Sequence, residues 1–222
     1  MRSFDELFEM AAARKGGARA FEAGMPVLKT PGELAAIPDD RWLSMMAKSV
    51  FRAGFNWKVI ETKWPGFEEA FEGFATGRWS LMSDDDLDRL LQDTRVVRHA
   101  RKLQSVGDNA AFLRELAAEH GSAAACFAQW PGADFSGLLA LMKKRGSRLG
   151  GVTGAYFLRN MGRDGYIIGG DVATALIRER VVDKQPTSRR DMAAVQGAFD
   201  HWAAESGRPL AHISRTLACT VP

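Results

Sequence analysis

Apolar residues recur along this chain at the interval of an α-helix. Phe4, Leu7, Phe8 and Ala11 fall at i, i+3, i+4 and i+7, and Trp42, Met45, Met46 and Ser49 repeat that spacing. Each set therefore shares one face of a 3.6-residue helix. Strand-like alternation is missing, with VVRH (96–99) and YIIGG (166–170) the only short candidates. Helix starts are marked by capping residues. Pro38-Asp39-Asp40 precedes a helix over Arg41–Phe51, Ser83-Asp84-Asp85-Asp86 precedes Leu87–Leu91, and Thr187-Ser188 precedes Asp191–Ala204. Glycine breaks fall at 16–17, 146–151 and 162–170. The pattern predicts an all-α chain.

Composition adds little beyond a folded protein. The chain is 46% hydrophobic and 26% charged, which excludes a disordered polymer. No apolar run is long enough to span a bilayer, and Asp5, Glu6 and Glu9 interrupt the N-terminal segment where a signal peptide needs an apolar stretch. We expect a cytoplasmic monomer without membrane contact. Cys126 and Cys219 lie far apart in apolar settings, and the histidines at 99, 120, 201 and 212 show no ligand spacing. Neither a disulfide framework nor a metal site is expected, and no cofactor. The acidic run DDDLD is explained as a cap and first turn favoured by the helix dipole.

Charge is placed more informatively than its net value of +3 suggests. Between Lys143 and Arg163 there are six lysines or arginines and no acid. Inside that stretch a helix ends at Lys143-Lys144-Arg145-Gly146, a turn follows at Leu149-Gly150-Gly151, and a second helix starts at Val152 or Thr153. Glycines let backbone approach a phosphate, and the N–H groups opening the second helix point at the anion with the dipole behind them. A solvated basic helix end would carry the same residues. A second cluster without acid comprises Arg95, Arg98, His99, Arg101 and Lys102. Such cations grip DNA phosphates without reading sequence, although a solvated helix face is equally compatible with them.

Three segments resemble the DNA-3-methyladenine glycosylase I family. They are SVFRAGFNWKVIETKWPGFEEAF (49–71), MSDDDLDRLLQDTRVVRHARKLQSVGDNAAFL (82–113) and LMKKRGSRLGGVTGAYFLRNMG (141–162). The resemblance implies a helix-hairpin-helix DNA glycosylase fold, a helical bundle with a cleft between two lobes. Residues 1–222 would form a single domain with the hairpin at about 138–162 and the helices of 1–37 and 186–222 packed on the core. The implied partner is double-stranded DNA containing a modified base. The implied activity is hydrolysis of the N-glycosidic bond of an alkylated or otherwise modified purine, in base-excision repair.

The chain departs from the family in ways that change the chemistry. The family's zinc ligands are absent, since the region after the hairpin reads RDGYIIGG, and residues 1–37 do not match the family's N-terminal block. The pocket glutamate's position is held by Ser49. Trp57 aligns with an aromatic that stacks on the flipped base, and Trp42 and Tyr156 complete the expected base-binding set. DNA contacts are expected from Lys143, Lys144, Arg148, Gly150, Gly151, Val152, Arg98 and Lys102. In the wider superfamily a catalytic aspartate follows the hairpin, behind a short apolar run and at a helix start. Here that place belongs to Asp171, which an ordinary helix N-cap would also explain. A carboxylate there would stabilise the positive charge that develops on the deoxyribose and orient water. Bifunctional members of the superfamily place a lysine on the hairpin's second helix where this chain has Ala155, so a monofunctional enzyme is expected. The competing reading is a non-catalytic helix-hairpin-helix DNA-binding module. A protein-interaction domain without a nucleic-acid role conflicts with both basic clusters.

Overall fold

The computed structural model describes all 222 residues, as fourteen α-helices and no strand. In chain order these are α1 (Phe4–Arg14), α2 (Ala18–Ala23), α3 (Pro31–Ala35), α4 (Asp39–Arg52), α5 (Trp57–Ala70), α6 (Thr76–Trp79) and α7 (Asp84–Gln92), then α8 (Ala100–His120), α9 (Ala123–Gln129), α10 (Phe135–Arg145), α11 (Val152–Met161), α12 (Gly170–Arg178), α13 (Arg189–Ser206) and α14 (Leu210–Cys219). The VVRH and YIIGG segments form no strand.

The chain divides into two compact units. The first comprises Met1–Leu28, Pro131–Gly137 and Asp164–Pro222, and the second Lys29–Trp130 and Leu138–Arg163. In the second unit α4 packs against α5, α8 and α11. It begins two residues earlier than its cap pattern predicts, at Asp39 after Pro38. Asp39 has a second task there, since its carboxylate accepts the N–H groups of Ala123 and Ala124 and so caps α9. Glu68 fastens α5 to α4 by accepting from Arg41, from the Ser44 hydroxyl at 2.5 Å and from Trp64 Nε1 at 3.1 Å. The apolar face of α5 continues as stacked rings, with Trp64, Phe67, Phe71 and Phe74 in successive near-parallel contacts. These contacts hold α5 by its inward face and leave its first residue to solvent.

In the first unit α14 packs on α1, α12 and α13. The extended segment leading into α12 is held from both sides. Asp164 accepts the N–H groups of Leu210 and Ala211, Tyr166 donates to Gln196 at 3.0 Å, and the Ile167 N–H donates to Ser214 Oγ at 3.0 Å. The acidic run is a cap as expected: Ser83 and Asp86 form a reciprocal capping box, and Arg78 pairs with Asp86. No helix is long and apolar enough to cross a membrane.

Candidate nucleic-acid interface

The hairpin forms where the sequence places it. α10 ends at Arg145 and α11 begins at Val152. Between them the chain reverses through two residues with positive φ, Arg148 at +61° and Gly151 at +59°. The ψ of −139° at Gly151 completes a conformation that only glycine adopts readily. A left-handed arginine costs about 1–2 kcal/mol, so the surrounding packing must impose it. Two features do. Leu149 is buried, and α11 approaches so closely that a Cβ on Gly154 would lie 2.4 Å from the Leu149 carbonyl oxygen. Asn109 of α8, itself buried, donates to the Ser147 carbonyl at 3.1 Å and accepts the Ser147 N–H at 2.8 Å. Sequence reasoning passed over Asn109, because a polar residue in a helix shows nothing of a partner 38 positions away.

Gly151 caps α11 with backbone only, so no side chain occupies the first-turn N–H groups. Those donors, on Val152, Thr153 and Gly154, are presented beside Lys143, Lys144 and Arg148, which are exposed and make no ion pair. Arg145 is different, being taken up by Glu115 at 3.0 Å and Glu119 at 2.7 Å. In the second cluster Arg95 pairs with Asp93 and Glu69, leaving Arg98 and Arg101 exposed and unpaired.

Lys102 is buried, and it does not present a charge on the surface. Its Nζ donates to the carbonyls of Phe51 at 3.2 Å and Ala53 at 2.5 Å, which terminate α4, and lies 4.5 Å from the centroid of the Phe55 ring. Burial, with a smaller contribution from the Arg148 charge, pushes this amine down to about 8. It lines an open pocket of about 330 Å³ with Val50, Ala53, Arg148, Gly150 and Thr153. The pocket thus joins the end of α4, the start of α8 and the hairpin.

The expected base-binding residues divide by exposure. Trp57 opens α5 after the Asn56 cap and is 61% exposed, with Phe55 41% exposed beside it in sequence. Tyr156, on α11, is 49% exposed. Trp42 and Ser49 lie on the inward face of α4. Trp42 packs against Phe127 and Phe157, and neither its Nε1 nor Ser49 Oγ has a hydrogen-bond partner. Asp171 lies in the first unit, exposed in the first turn of α12. It is not the cap, as its sequence position suggested, because Gly169 holds that place. No carboxylate lines the pocket beside the hairpin, and no three His, Cys, Asp or Glu side chains are grouped to hold a metal.

Residues 35–135 match the model of the methyladenine glycosylase family. DNA-3-methyladenine glycosylase 1 of Escherichia coli (strain K12) is 31% identical over 64 residues, which is 28% of this chain and 34% of that protein. The chain therefore matches about a third of the length of this curated relative. Among solved structures, a variant of 3-methyladenine DNA glycosylase I in complex with 3-methyladenine superposes with a TM-score of 0.52 at 20% identity, covering 65% of this chain and 85% of that one. The 3-methyladenine DNA glycosylase I of Staphylococcus aureus gives 0.51 at 21% identity, covering 69% and 91%. These likenesses establish the fold.

Proposed function

We propose, on the premise that residues 35–135 belong to the methyladenine glycosylase family, that this protein is a monofunctional DNA glycosylase. It hydrolyses the N-glycosidic bond of an alkylated or otherwise modified purine, 3-methyladenine-like, in duplex DNA. The observation that carries the reading is the hairpin. A glycine-capped helix offers unpaired first-turn N–H groups between exposed Lys143, Lys144 and Arg148, the combination that binds a phosphate without reading a base. Arg98 would extend that grip, with Gly150 and Val152 admitting the backbone closely. Lys102, counted among the DNA contacts from sequence, would act from the pocket wall.

Chemistry on a base requires the nucleotide to leave the stack. Trp57 is the exposed ring suited to stack on the extruded base, with Tyr156 as a second, while Ser49 and Trp42 would line the inner side of the base site with their unpaired hydroxyl and N–H. Asp171 is the proposed carboxylate that stabilises the developing sugar cation and orients water. Asp164 is committed to capping α14, and Glu61 to Lys48 and Arg52. An alkylated purine leaves as a neutral base, so little general-acid assistance is needed.

One observation favours the alternative of a non-catalytic DNA-binding module: the hairpin pocket has no carboxylate, and Ser49 carries no charge. Incubation with duplexes bearing a panel of modified bases, read out by alkaline cleavage at abasic sites, separates the two. Base release from an alkylated purine supports the enzyme. Duplex binding with no release from any modified base would leave the binding module.

A further inference from the structure

Lys102 is the one buried amine whose surroundings hold no acid to neutralise it. Its hydrogen-bond partners are two main-chain carbonyls, its nearest charged neighbour is the cation Arg148, and the pocket it lines is walled on the far side by Gly150 and Thr153 of the hairpin. Two donated hydrogen bonds are all that a neutral amine can make, and the remaining tetrahedral position at Nζ faces no acceptor. An amine desolvated beside another cation is a nucleophile for carbonyl carbon.

We propose that Lys102 captures the aldehyde of an abasic site in duplex DNA as an imine, giving the chain an abasic-site lyase activity separate from base hydrolysis. The proposal rests on the reading of the hairpin as a DNA-binding element. Ala155 leaves the hairpin's own helix without an amine, and Lys102 supplies one from the opposite wall of the pocket. With the amine at about 8, roughly a tenth is neutral at pH 7, against about one part in three thousand for an ordinary lysine.

The neutral amine adds to C1′ of the ring-opened deoxyribose, and the carbinolamine loses water to give the protonated imine. Loss of the C2′ proton to solvent forms the C2′–C3′ double bond and breaks the C3′–O bond, so the departing phosphate becomes the 5′ end of the downstream strand. Hydrolysis of the imine releases the unsaturated aldehyde and restores Lys102. Water removed in the first step is returned in the last, and no oxidant or reductant is consumed.

The test uses the full chain and a duplex carrying a preformed abasic site, so base excision is not required. Cyanoborohydride should trap a covalent protein–DNA adduct that maps to Lys102, with a yield rising between pH 6 and 9. Without the reductant, a nicked strand ending in the unsaturated aldehyde should accumulate. Lys102→Arg can still donate to both carbonyls at the end of α4, so it should fold and bind abasic duplex while losing adduct and nicking alike. Binding without an adduct, an adduct on another amine, or an undiminished adduct in Lys102→Arg overturns the proposal alone. Failure of the wild-type chain to bind either intact or abasic duplex overturns the DNA-binding reading and this one with it.

Discussion

Asn109 holds both main-chain polar groups of Ser147, donating to the carbonyl at 3.1 Å and accepting the N–H at 2.8 Å. This pair imitates one rung of a β-ladder between a helix side chain and a loop, and it fixes the loop immediately before the left-handed Arg148. Asn109→Ala removes both bonds and leaves one buried donor and one buried acceptor near Ser147 without partners. Urea denaturation should show a loss of about 1–3 kcal/mol, and duplex affinity at low salt should fall because the hairpin is no longer pre-set. Wild-type affinity in a folded Asn109→Ala chain would show that the hairpin does not depend on this pin.

Gly151 separates backbone from packing. A Cβ there meets nothing within 4 Å, yet its φ is +59°, so the strain of any replacement lies in the main chain. Gly151→Val should weaken binding to every duplex irrespective of sequence and flatten the dependence of affinity on salt. Thermal stability should drop only modestly, by about 1–2 kcal/mol. Unchanged affinity at moderate salt would remove the hairpin from the DNA surface.

Asp171 is exposed and carries none of the cap geometry of α12, which makes it a clean position to test. Asp171→Asn keeps the shape and deletes the charge, so folding and duplex binding should persist. Single-turnover base release should fall on the order of 10²-fold or more, the scale of a positioned charge or base, and less for cationic alkylated purines. A fully active Asp171→Asn enzyme moves the search for the catalytic group back to the neighbourhood of Ser49 and Trp57.

Asp86 gives a prediction in pH. Hydrogen bonds from Arg78 and from Ser83 hold its carboxyl well below the usual carboxylate range. A carboxyl with a depressed folded-state pKa contributes stability that is fully present above its unfolded value of about 4 and lost as pH falls below it. Asp86→Asn should therefore destabilise the chain by about 1–2 kcal/mol at pH 7. The gap between variant and wild type should close as pH is lowered from about 4 toward 2. A gap that stays constant with pH would assign the loss to packing and not to charge.

Helix identity and the hairpin were legible because both depend on local chemistry: periodic apolar faces, capping residues, and glycines flanked by lysines. What escaped the sequence was long-range or depended on burial. The cluster RVVRHARK reads as one basic patch, but folding removes Arg95 into a pair with Asp93 and buries Lys102 on the carbonyls of Phe51 and Ala53. Trp42 and Trp57 look alike as candidates for a base site, yet one is sealed among Phe127 and Phe157 while the other starts a helix in solvent. The cap of α12 was misplaced by two residues because Gly169 and Asp171 both suit a helix start, and only the backbone dihedrals separate them.

The first unit is assembled from stretches at opposite ends of the chain. α1 packs on α13 and α14, Trp202 Nε1 donates to the Arg2 carbonyl at 3.0 Å, and the Arg2 side chain pairs with Glu179. On the ribosome, α1 therefore emerges first and finds its partners last, while all the residues of the second unit are out by Arg163. The helices that carry the hairpin can complete their core during synthesis, and the unit bearing Asp171 closes only after the chain is released. Translational arrest between residues 163 and 189 should accordingly leave a nascent chain whose hairpin is protected from protease and whose first helix is not.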